Sequence, residues 1–144
     1  MTLDPYELER FVEAQDRDDG YLRALEELRR GRKETHWIWW VFPQLVGLGW
    51  SATSRRYAIG SLEEARAFLA HPILGPRLRE ASTVILSHRG AAVGSILGDD
   101  DVKLRSCATL FTLADPAESL FREVLDVFFN GDHDTRTEQL LVTS

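Results

Sequence analysis

Residues 31–51 combine a large aromatic surface with polar side chains that could do chemistry. The segment reads GRKETHWIWWVFPQLVGLGWS and holds all four tryptophans of the chain. Aromatic faces stack on planar rings such as nucleobases, and Arg or Lys side chains pair with phosphate. An imidazole can act as a general base or as a neutral donor near physiological pH. The polar residues that could contact a ligand here are Arg32, Lys33, His36 and Gln44.

The same segment also has a simpler interpretation. The tryptophans could all belong to the core, with His36 bonded to a backbone carbonyl. Trp39 and Trp40 are expected to pack in either case. The exposure of the polar side chains decides between a binding site and an aromatic core.

A second polar stretch, GDDDVKLRS, covers residues 98–106. Acidic residues at the start of a helix normally act as caps and as partners of the helix dipole. In the functional interpretation, Asp101 orients a sugar hydroxyl or assists a water molecule, and Lys103 binds an anion beside Ser106. Asp99 and Lys103 are four residues apart, so a surface ion pair is the rival explanation.

These stretches predict one candidate site. The candidate catalytic residues are His36, Asp101 and Lys103. The candidate ligand-binding residues are Gln15, Arg32, Lys33, Trp37, Gln44, Tyr57 and Ser106. Gln15 is included because it falls on the apolar stripe of the first helix, where its amide must bond a neighbouring helix end or point into a site. Basic pairs such as Arg55-Arg56 could also hold a phosphate, or they could complement a helix C-terminus.

Neither a metal nor a cofactor is predicted. Two carboxylates flank His133, but their spacing matches no metal-ligand signature, and Asp134 is explained as a helix N-cap. The chain contains no P-loop, no G-x-G-x-x-G and no G-x-S-x-G motif. The usual NTPase, dinucleotide-oxidoreductase and hydrolase patterns are therefore absent.

Composition narrows the class of protein. The net charge of −6 and the pI of about 5.2 argue against a general nucleic-acid binder, and no helix is rich in Arg and Asn as a DNA-recognition helix would be. The single cysteine, Cys107, excludes an intrachain disulfide and lies on an apolar helical stripe, which predicts a buried structural thiol. No signal peptide or membrane-spanning run is present, so a cytoplasmic protein is predicted.

Hydrophobic periodicity predicts an all-α fold, with residues 1–144 as a single compact globular domain of about eight helices and a core over roughly 4–141. The predicted helical segments cover about residues 4–15, 21–30, 35–42, 54–59, 61–70, 73–88, 91–97, 102–113, 116–130 and 134–141. No alternating strand pattern is convincing.

Several local signals carry this interpretation. Asp4 is the expected N-cap of the first helix. Thr35 is the expected N-cap of the aromatic helix, which Pro43 should end. A helix that is aromatic on all sides should be buried almost all round. Glu27 is expected on the solvated side of the second helix.

Several motifs then resemble a known family, the bacterial domain-of-unknown-function family 1810. This family is sometimes labelled calpastatin, but these residues give that name no physical support. The matching segments are LERFVEAQ, GRKETHWIWWVFPQLVGLGWS, HPILGPRL and DDVKLRSCATLF. The resemblance covers roughly residues 4–141 and implies a mainly helical fold with no established activity.

The order of the Ala-Gln, Trp-rich, His-Pro and Gly-Asp-Asp segments is also similar to the YbiA-like (NADAR) proteins. That similarity implies NAD or ADP-ribose metabolism and cleavage of N-glycosidic bonds to ribose. Ile96-Leu97-Gly98 stands here in place of that group's Trp-Gly pair.

Two functions follow as hypotheses. The first is binding or hydrolysis of a nucleotide-derived ribose phosphate compound, such as ADP-ribose or NAD, at an N-glycosidic bond. The alternative is a non-enzymatic interaction module, in which Trp50 and nearby apolar residues bind a partner or form a homodimer.

Overall fold

The computed structural model of the protein describes residues 3–143, which form an all-α fold, as predicted. The helices are α1 (Glu9–Asp16), α2 (Gly20–Arg30), α3 (Ile38–Val41), α4 (Ala52–Arg56), α5 (Leu62–Ala70), α6 (Leu74–Leu86), α7 (Val93–Leu97), α8 (Asp101–Ala114), α9 (Leu120–Phe129) and α10 (Thr135–Thr143). Short 3-10 turns, Arg17–Asp19 and Gly98–Asp100, precede α2 and α8. None of the helices described in this range combines the length and the apolarity needed to cross a membrane.

The hydrophobic core is one continuous cluster around α8, which packs against α5, α9 and α10. Four phenylalanines form a row through it. They are Phe11, Phe68, Phe111 and Phe121, and successive ring centroids lie 5.1, 5.6 and 5.6 Å apart. Cys107 is buried in the same core, and this burial raises the pKa of its thiol well above the usual range. A thiol in this state is inert, in agreement with the structural role predicted for it.

Two predicted helix starts are wrong, because side chains satisfy the backbone before the helix begins. The carboxylate of Asp4 accepts hydrogen bonds from the backbone N–H groups of Leu8 and Glu9 at 2.8 and 3.0 Å, so it caps a turn and α1 begins only at Glu9. Thr35 does not cap α3, which begins at Ile38. The predicted end of α3 before Pro43 is confirmed, since Phe42 already leaves the helical region at φ −121° and ψ 74°.

Other capping signals are confirmed. The S-x-x-E spacing of Ser61 and Glu64 predicts a cap, and the Ser61 hydroxyl accepts from the Glu64 N–H at 3.1 Å where α5 begins. Gly31 ends α2 with φ 77°, which a residue without Cβ adopts readily. The carboxylate of Asp134 accepts from the Thr137 N–H at 2.9 Å and caps α10.

Two backbone hydrogen bonds close the segment that carries α4. The Val46 N–H donates to the Ile59 carbonyl and the Ile59 N–H donates to the Gln44 carbonyl, both at 2.8 Å. They form an isolated parallel bridge between Leu45 and Ile59. Residues 46–58 therefore begin and end at neighbouring points of the chain's core, with Tyr57 buried in it, and they supply one wall of the clefts described below.

Arg10 of α1 holds the end of the same segment. Its guanidinium donates to the carbonyls of Arg56 and Ala58 at 2.7 and 2.8 Å and pairs with the Glu64 carboxylate at 2.9 Å. The position of α4 is thus tied to both α1 and α5.

Candidate cleft between residues 33–40 and α4

A cleft of about 660 Å³, here called the larger cleft, opens between residues 33–40 and α4. Its wall is aromatic and mainly basic. The aromatic lining residues are Trp37, Trp39, Trp40 and Tyr57. The charged or titratable lining residues are Arg17, Lys33, His36, Arg56 and Asp100. The only described carboxylate in this lining is that of Asp100, so the cleft has an excess of positive charge although the chain carries a net charge of −6.

A smaller cleft of about 290 Å³ lies next to the larger one. Both clefts are lined by Arg17, His36, Trp37, Trp40 and Tyr57. The smaller cleft adds side chains from the turn before α2 and from α2 itself, including Asp18 and Arg23. The two clefts therefore adjoin one another along these five residues, and His36 is the exposed imidazole among them.

The carboxylate of Glu27 organises the segment before α3. It accepts hydrogen bonds from the backbone N–H groups of Glu34 and Thr35 at 2.6 and 2.9 Å, from the Thr35 hydroxyl at 2.5 Å and from the Trp37 indole N–H at 2.9 Å. All of these donors are neutral. Glu27 is only 2% exposed, so its predicted place on the solvated side of α2 is wrong. A helical pattern could not reveal that a neighbouring loop covers this position.

These hydrogen bonds also set the protonation state of Glu27. Burial by itself would raise the pKa of the carboxyl, but the hydrogen bonds from Thr35, Glu34 and Trp37 outweigh it and lower the pKa from 4.5 to about 2. Glu27 is therefore ionised at neutral pH, and it keeps Trp37 in place at the base of the cleft. The indole N–H of Trp37 is bound to Glu27, and the Trp37 side chain, although it lines the larger cleft, is buried.

Asp100 joins two lysines at the other side of the larger cleft. Its carboxylate pairs with the ammonium groups of Lys33 and Lys103, each at 2.9 Å. Burial raises the pKa of Asp100, but the hydrogen bonds from Lys103 and Lys33 and their positive charges prevail and hold it below the usual range. The ion pair of Lys103 is made with Asp100, three residues away, and Asp99 does not take part in it.

Each of these lysines also lies over an aromatic ring. The Lys33 ammonium is 5.2 Å from the centroid of the Trp37 ring, and the Lys103 ammonium is 5.3 Å from that of Trp39. Lys33 donates a further hydrogen bond to the Thr35 carbonyl at 2.6 Å. Both cations are thus held by partners within the protein, and Lys33 is the more buried of the two.

The aromatic wall is more exposed than a core would be. Trp39 and Trp40 are partly exposed, so the prediction that the aromatic helix is buried almost all round is wrong. The reason is that α3 has only four residues and faces the cleft. Trp40 packs at 61° to Tyr57 with 5.3 Å between ring centroids, and the Arg56 guanidinium lies 5.6 Å from the Tyr57 centroid on the same wall.

The structure brings part of the predicted site together. Lys33, His36, Trp37 and Tyr57 line the larger cleft, and Lys103 reaches it through Asp100. The His36 side chain is exposed and makes no hydrogen bond within residues 3–143. The carbonyl contact considered for His36 is made instead by His88, whose ring nitrogen lies 2.7 Å from the Leu28 carbonyl oxygen.

Two predicted residues are buried outside the linings of both clefts. The Gln15 amide donates to the Trp40 carbonyl at 2.7 Å and accepts from the Arg77 guanidinium at 3.2 Å, which is the structural alternative foreseen for it. Gln44 is 5% exposed, and its side-chain nitrogen has no partner among the described residues.

The other three predicted residues also lie outside the described linings of both clefts. Arg32 is exposed and belongs to the described lining of neither cleft. The Asp101 carboxylate accepts from the Val102 N–H at 2.7 Å at the start of α8. Ser106 is buried, and its hydroxyl donates to the Val102 carbonyl at 3.1 Å.

Sequence reasoning missed Arg17, Asp100 and Glu27 as parts of the site. Arg17 stands in a polar break between two helices, where a charged residue is ordinary. Asp100 is one of three consecutive aspartates, and nothing in the spacing distinguishes it from its neighbours. Arg56 had a weak signal, because the Arg55-Arg56 pair was recognised as a possible phosphate ligand.

The comparison with protein-family models identifies the family of this chain. Residues 5–141 match the family model described as "Protein of unknown function (DUF1810)". A crystal structure of the conserved hypothetical protein Rv1873 from Mycobacterium tuberculosis is similar over 98% of this chain and 100% of its own, with 46% sequence identity and a TM-score of 0.93. No curated protein matches the chain. The chain therefore belongs to the DUF1810 family, as its motifs predicted.

Proposed function

We propose that the larger cleft binds a nucleotide-derived compound that contains ribose and phosphate. The observation that supports this proposal is the meeting of aromatic faces with an excess of basic side chains in one cleft of an otherwise acidic chain. Stacking requires a planar ring, and the positive charge favours an anion. A nucleotide combines both properties in one small molecule.

The dimensions of the cleft suit such a ligand. Its volume of about 660 Å³ lies within the range of roughly 300–1,000 Å³ that is usual for small-molecule sites. Trp39 and Trp40, which line the cleft and are partly exposed, offer aromatic faces to the base, while Tyr57 is buried behind Trp40. The Arg56 guanidinium, which already lies over Tyr57, is planar and can extend this stacking surface.

For the reaction, we propose hydrolysis of the N-glycosidic bond to ribose, with His36 as the general base. Water attacks the anomeric carbon while the carbon–nitrogen bond breaks, and its electron pair leaves with the base. His36 takes the proton of the attacking water and passes it to the departing nitrogen. The exposed ring of His36, which lines both clefts, supports this role, and the ion-paired Asp100 and Lys103 lie on the other side of the larger cleft.

Thermal unfolding against a panel of nucleotides, NAD and ADP-ribose tests the binding proposal. A compound present at about 100 times its Kd should stabilise the protein by about 2.7 kcal/mol. We expect this shift to disappear in His36→Ala and in Arg56→Gln. Arg32→Gln is the matched control, because it removes one surface charge outside the clefts.

The two arginine variants also show whether the ligand binds in the cleft or at Arg32, the arginine that was predicted from the sequence. Loss of the shift in Arg32→Gln, with the shift retained in Arg56→Gln, would place the ligand elsewhere. No shift with any compound of the panel would contradict the proposal. Release of a free base from a compound that binds, abolished in His36→Ala, is the measurement for the hydrolysis step.

The second candidate function is a protein-interaction module or homodimer, and the exposure of Trp50 favours it. Trp50 is 86% exposed, and Val46 on the same segment is 47% exposed. A contiguous patch of exposed apolar side chains is typical of contact surfaces, and these two side chains lie four residues apart in the chain. Sedimentation of the wild type and of Trp50→Ser tests this candidate: a dimer that dissociates on substitution supports it, and a monomer in both cases contradicts the homodimer.

A further inference from the structure

The smaller cleft has guanidinium groups that the proposed function does not yet use. Arg23, in the first turns of α2, lines the smaller cleft and not the larger one. Arg17 lines both. Asp18 supplies the only carboxylate in the described lining of the smaller cleft, so two guanidinium groups face one negative charge.

Among the basic groups of the two clefts, Lys33 is the most engaged within the protein. In the larger cleft, Lys33 is bonded to Asp100 and to the Thr35 carbonyl, and Arg56 lies over Tyr57. In the smaller cleft, Arg23 donates a hydrogen bond to the Asp18 carbonyl at 3.2 Å. A guanidinium carries five N–H donors, so most donors of Arg23 remain available for an oxyanion.

The backbone keeps these arginines on either side of a tight turn. Asp18 and Asp19 both adopt positive φ values, 51° and 56°, which residues other than glycine rarely do. Gly20 follows, and a Cβ atom there would lie 3.1 Å from the Ala14 carbonyl oxygen, so the turn packs directly on α1. Arg17 and Arg23 are therefore carried by the two ends of a close-packed turn.

We propose that the smaller cleft is an anion subsite, in which Arg17 and Arg23 bind the phosphate group of a ligand whose ring lies in the larger cleft. This inference rests on the proposed function and narrows its ligand class to phosphorylated nucleosides, as opposed to free nucleosides or bases. The ligand crosses from one cleft to the other beside His36, which lines both. Guanidinium groups suit this task because they bind phosphate oxygens in pairs.

Calorimetric titrations with adenosine, adenosine 5′-monophosphate and inorganic phosphate test the subsite, with the guanine compounds run in parallel. We expect the wild type to bind the monophosphate more tightly than the nucleoside. Arg23→Gln should weaken binding of the monophosphate by about ten-fold or more, because a charge-assisted hydrogen bond is lost, and should leave binding of the nucleoside unchanged. Inorganic phosphate should compete with the monophosphate in the wild type and lose this effect in Arg23→Gln.

Arg29→Gln is the matched control, because Arg29 is an exposed arginine in the last turn of the same helix and lines neither cleft in the described structure. It should bind both compounds as the wild type does. Thermal unfolding of each variant without ligand confirms that the fold is kept.

The possible failures are distinct. Equal effects of Arg23→Gln on nucleoside and monophosphate, or no effect on either, would overturn the anion subsite while the proposed function of the larger cleft stands. Failure of the wild type to bind any of the nucleosides or monophosphates, together with no thermal shift for NAD or ADP-ribose, would overturn both. A monophosphate whose binding is lost in Arg56→Gln but not in Arg23→Gln would place the phosphate in the larger cleft and overturn the subsite alone.

Discussion

The phenylalanine row of the core and residues 31–37 at the clefts are held in place by different forces. The row from Phe11 to Phe121 is stabilised by burial of apolar rings against one another. The segment at the clefts depends on hydrogen bonds that converge on the carboxylate of Glu27. Loss of a core ring is therefore felt by the whole molecule, whereas loss of the Glu27 carboxylate acts first on the cleft.

The largest effect is expected in the core. Phe111 is fully buried between Phe68 and Phe121, and Phe111→Ala removes ring contacts on both sides. We expect the free energy of unfolding to fall by about 3–5 kcal/mol. Chemical denaturation followed by circular dichroism measures it. A loss below about 1 kcal/mol would show that the row does not stabilise the fold as described.

Glu27→Ala should cost less and act locally. It leaves the N–H groups of Glu34, Thr35 and Trp37 without their acceptor, which we expect to destabilise the protein by about 2–3 kcal/mol. Because these donors are neutral, raising the salt concentration should change this loss little. Tryptophan fluorescence should report the freed indole of Trp37. Glu27→Gln, which keeps one oxygen acceptor, is the matched variant and should lose less.

The pH dependence of stability offers a sharper form of the same test. The pKa of Glu27 is depressed in the folded state, so its stabilisation is fully present above about pH 4.5 and is lost as the pH falls towards 2. Over this window we expect the wild type to lose about 3 kcal/mol more than Glu27→Gln does. Parallel pH profiles of the two proteins would contradict the depressed pKa.

Asp100→Asn tests the charged side of the cleft. It removes the partner of Lys33 and Lys103, and we expect a loss of about 1 kcal/mol or less, because these groups are partly solvated. Unlike the loss in Glu27→Ala, this one should shrink as salt is added, since ion pairs are screened. Urea denaturation at low and high salt distinguishes the Asp100 carboxylate from that of Glu27. A loss of unfolding free energy in Asp100→Asn that stays the same at high salt would contradict the stabilisation by ion pairs.

The smallest effect is expected at Trp50. This side chain is 86% exposed, so Trp50→Ser should change the free energy of unfolding by no more than about 0.5 kcal/mol. Thermal unfolding at two protein concentrations measures it. A larger loss that depends on concentration would show that a second chain covers Trp50.

Sequence periodicity predicted the helical core well, because burial of apolar stripes decides where long helices form. The expected helix over 102–113, for example, is found as α8 at Asp101–Ala114. The same reasoning predicted part of the cleft, since Lys33, His36 and Trp37 are adjacent along the chain. It could not predict Glu27, Asp100 or Arg17, because their roles depend on contacts between segments that helical spacing does not encode.

Residues 46–58 are bounded by the two backbone hydrogen bonds of the Leu45–Ile59 bridge, and they are also held by the Arg10 guanidinium and by the buried ring of Tyr57. A segment held by these few contacts can detach as a unit while the helices behind it stay folded. Deuterium uptake at the Val46 and Ile59 amides is therefore a direct measure of how often this wall of the cleft unfolds locally. In a residue-resolved exchange experiment, these two amides would exchange with solvent long before the amides of α8 do.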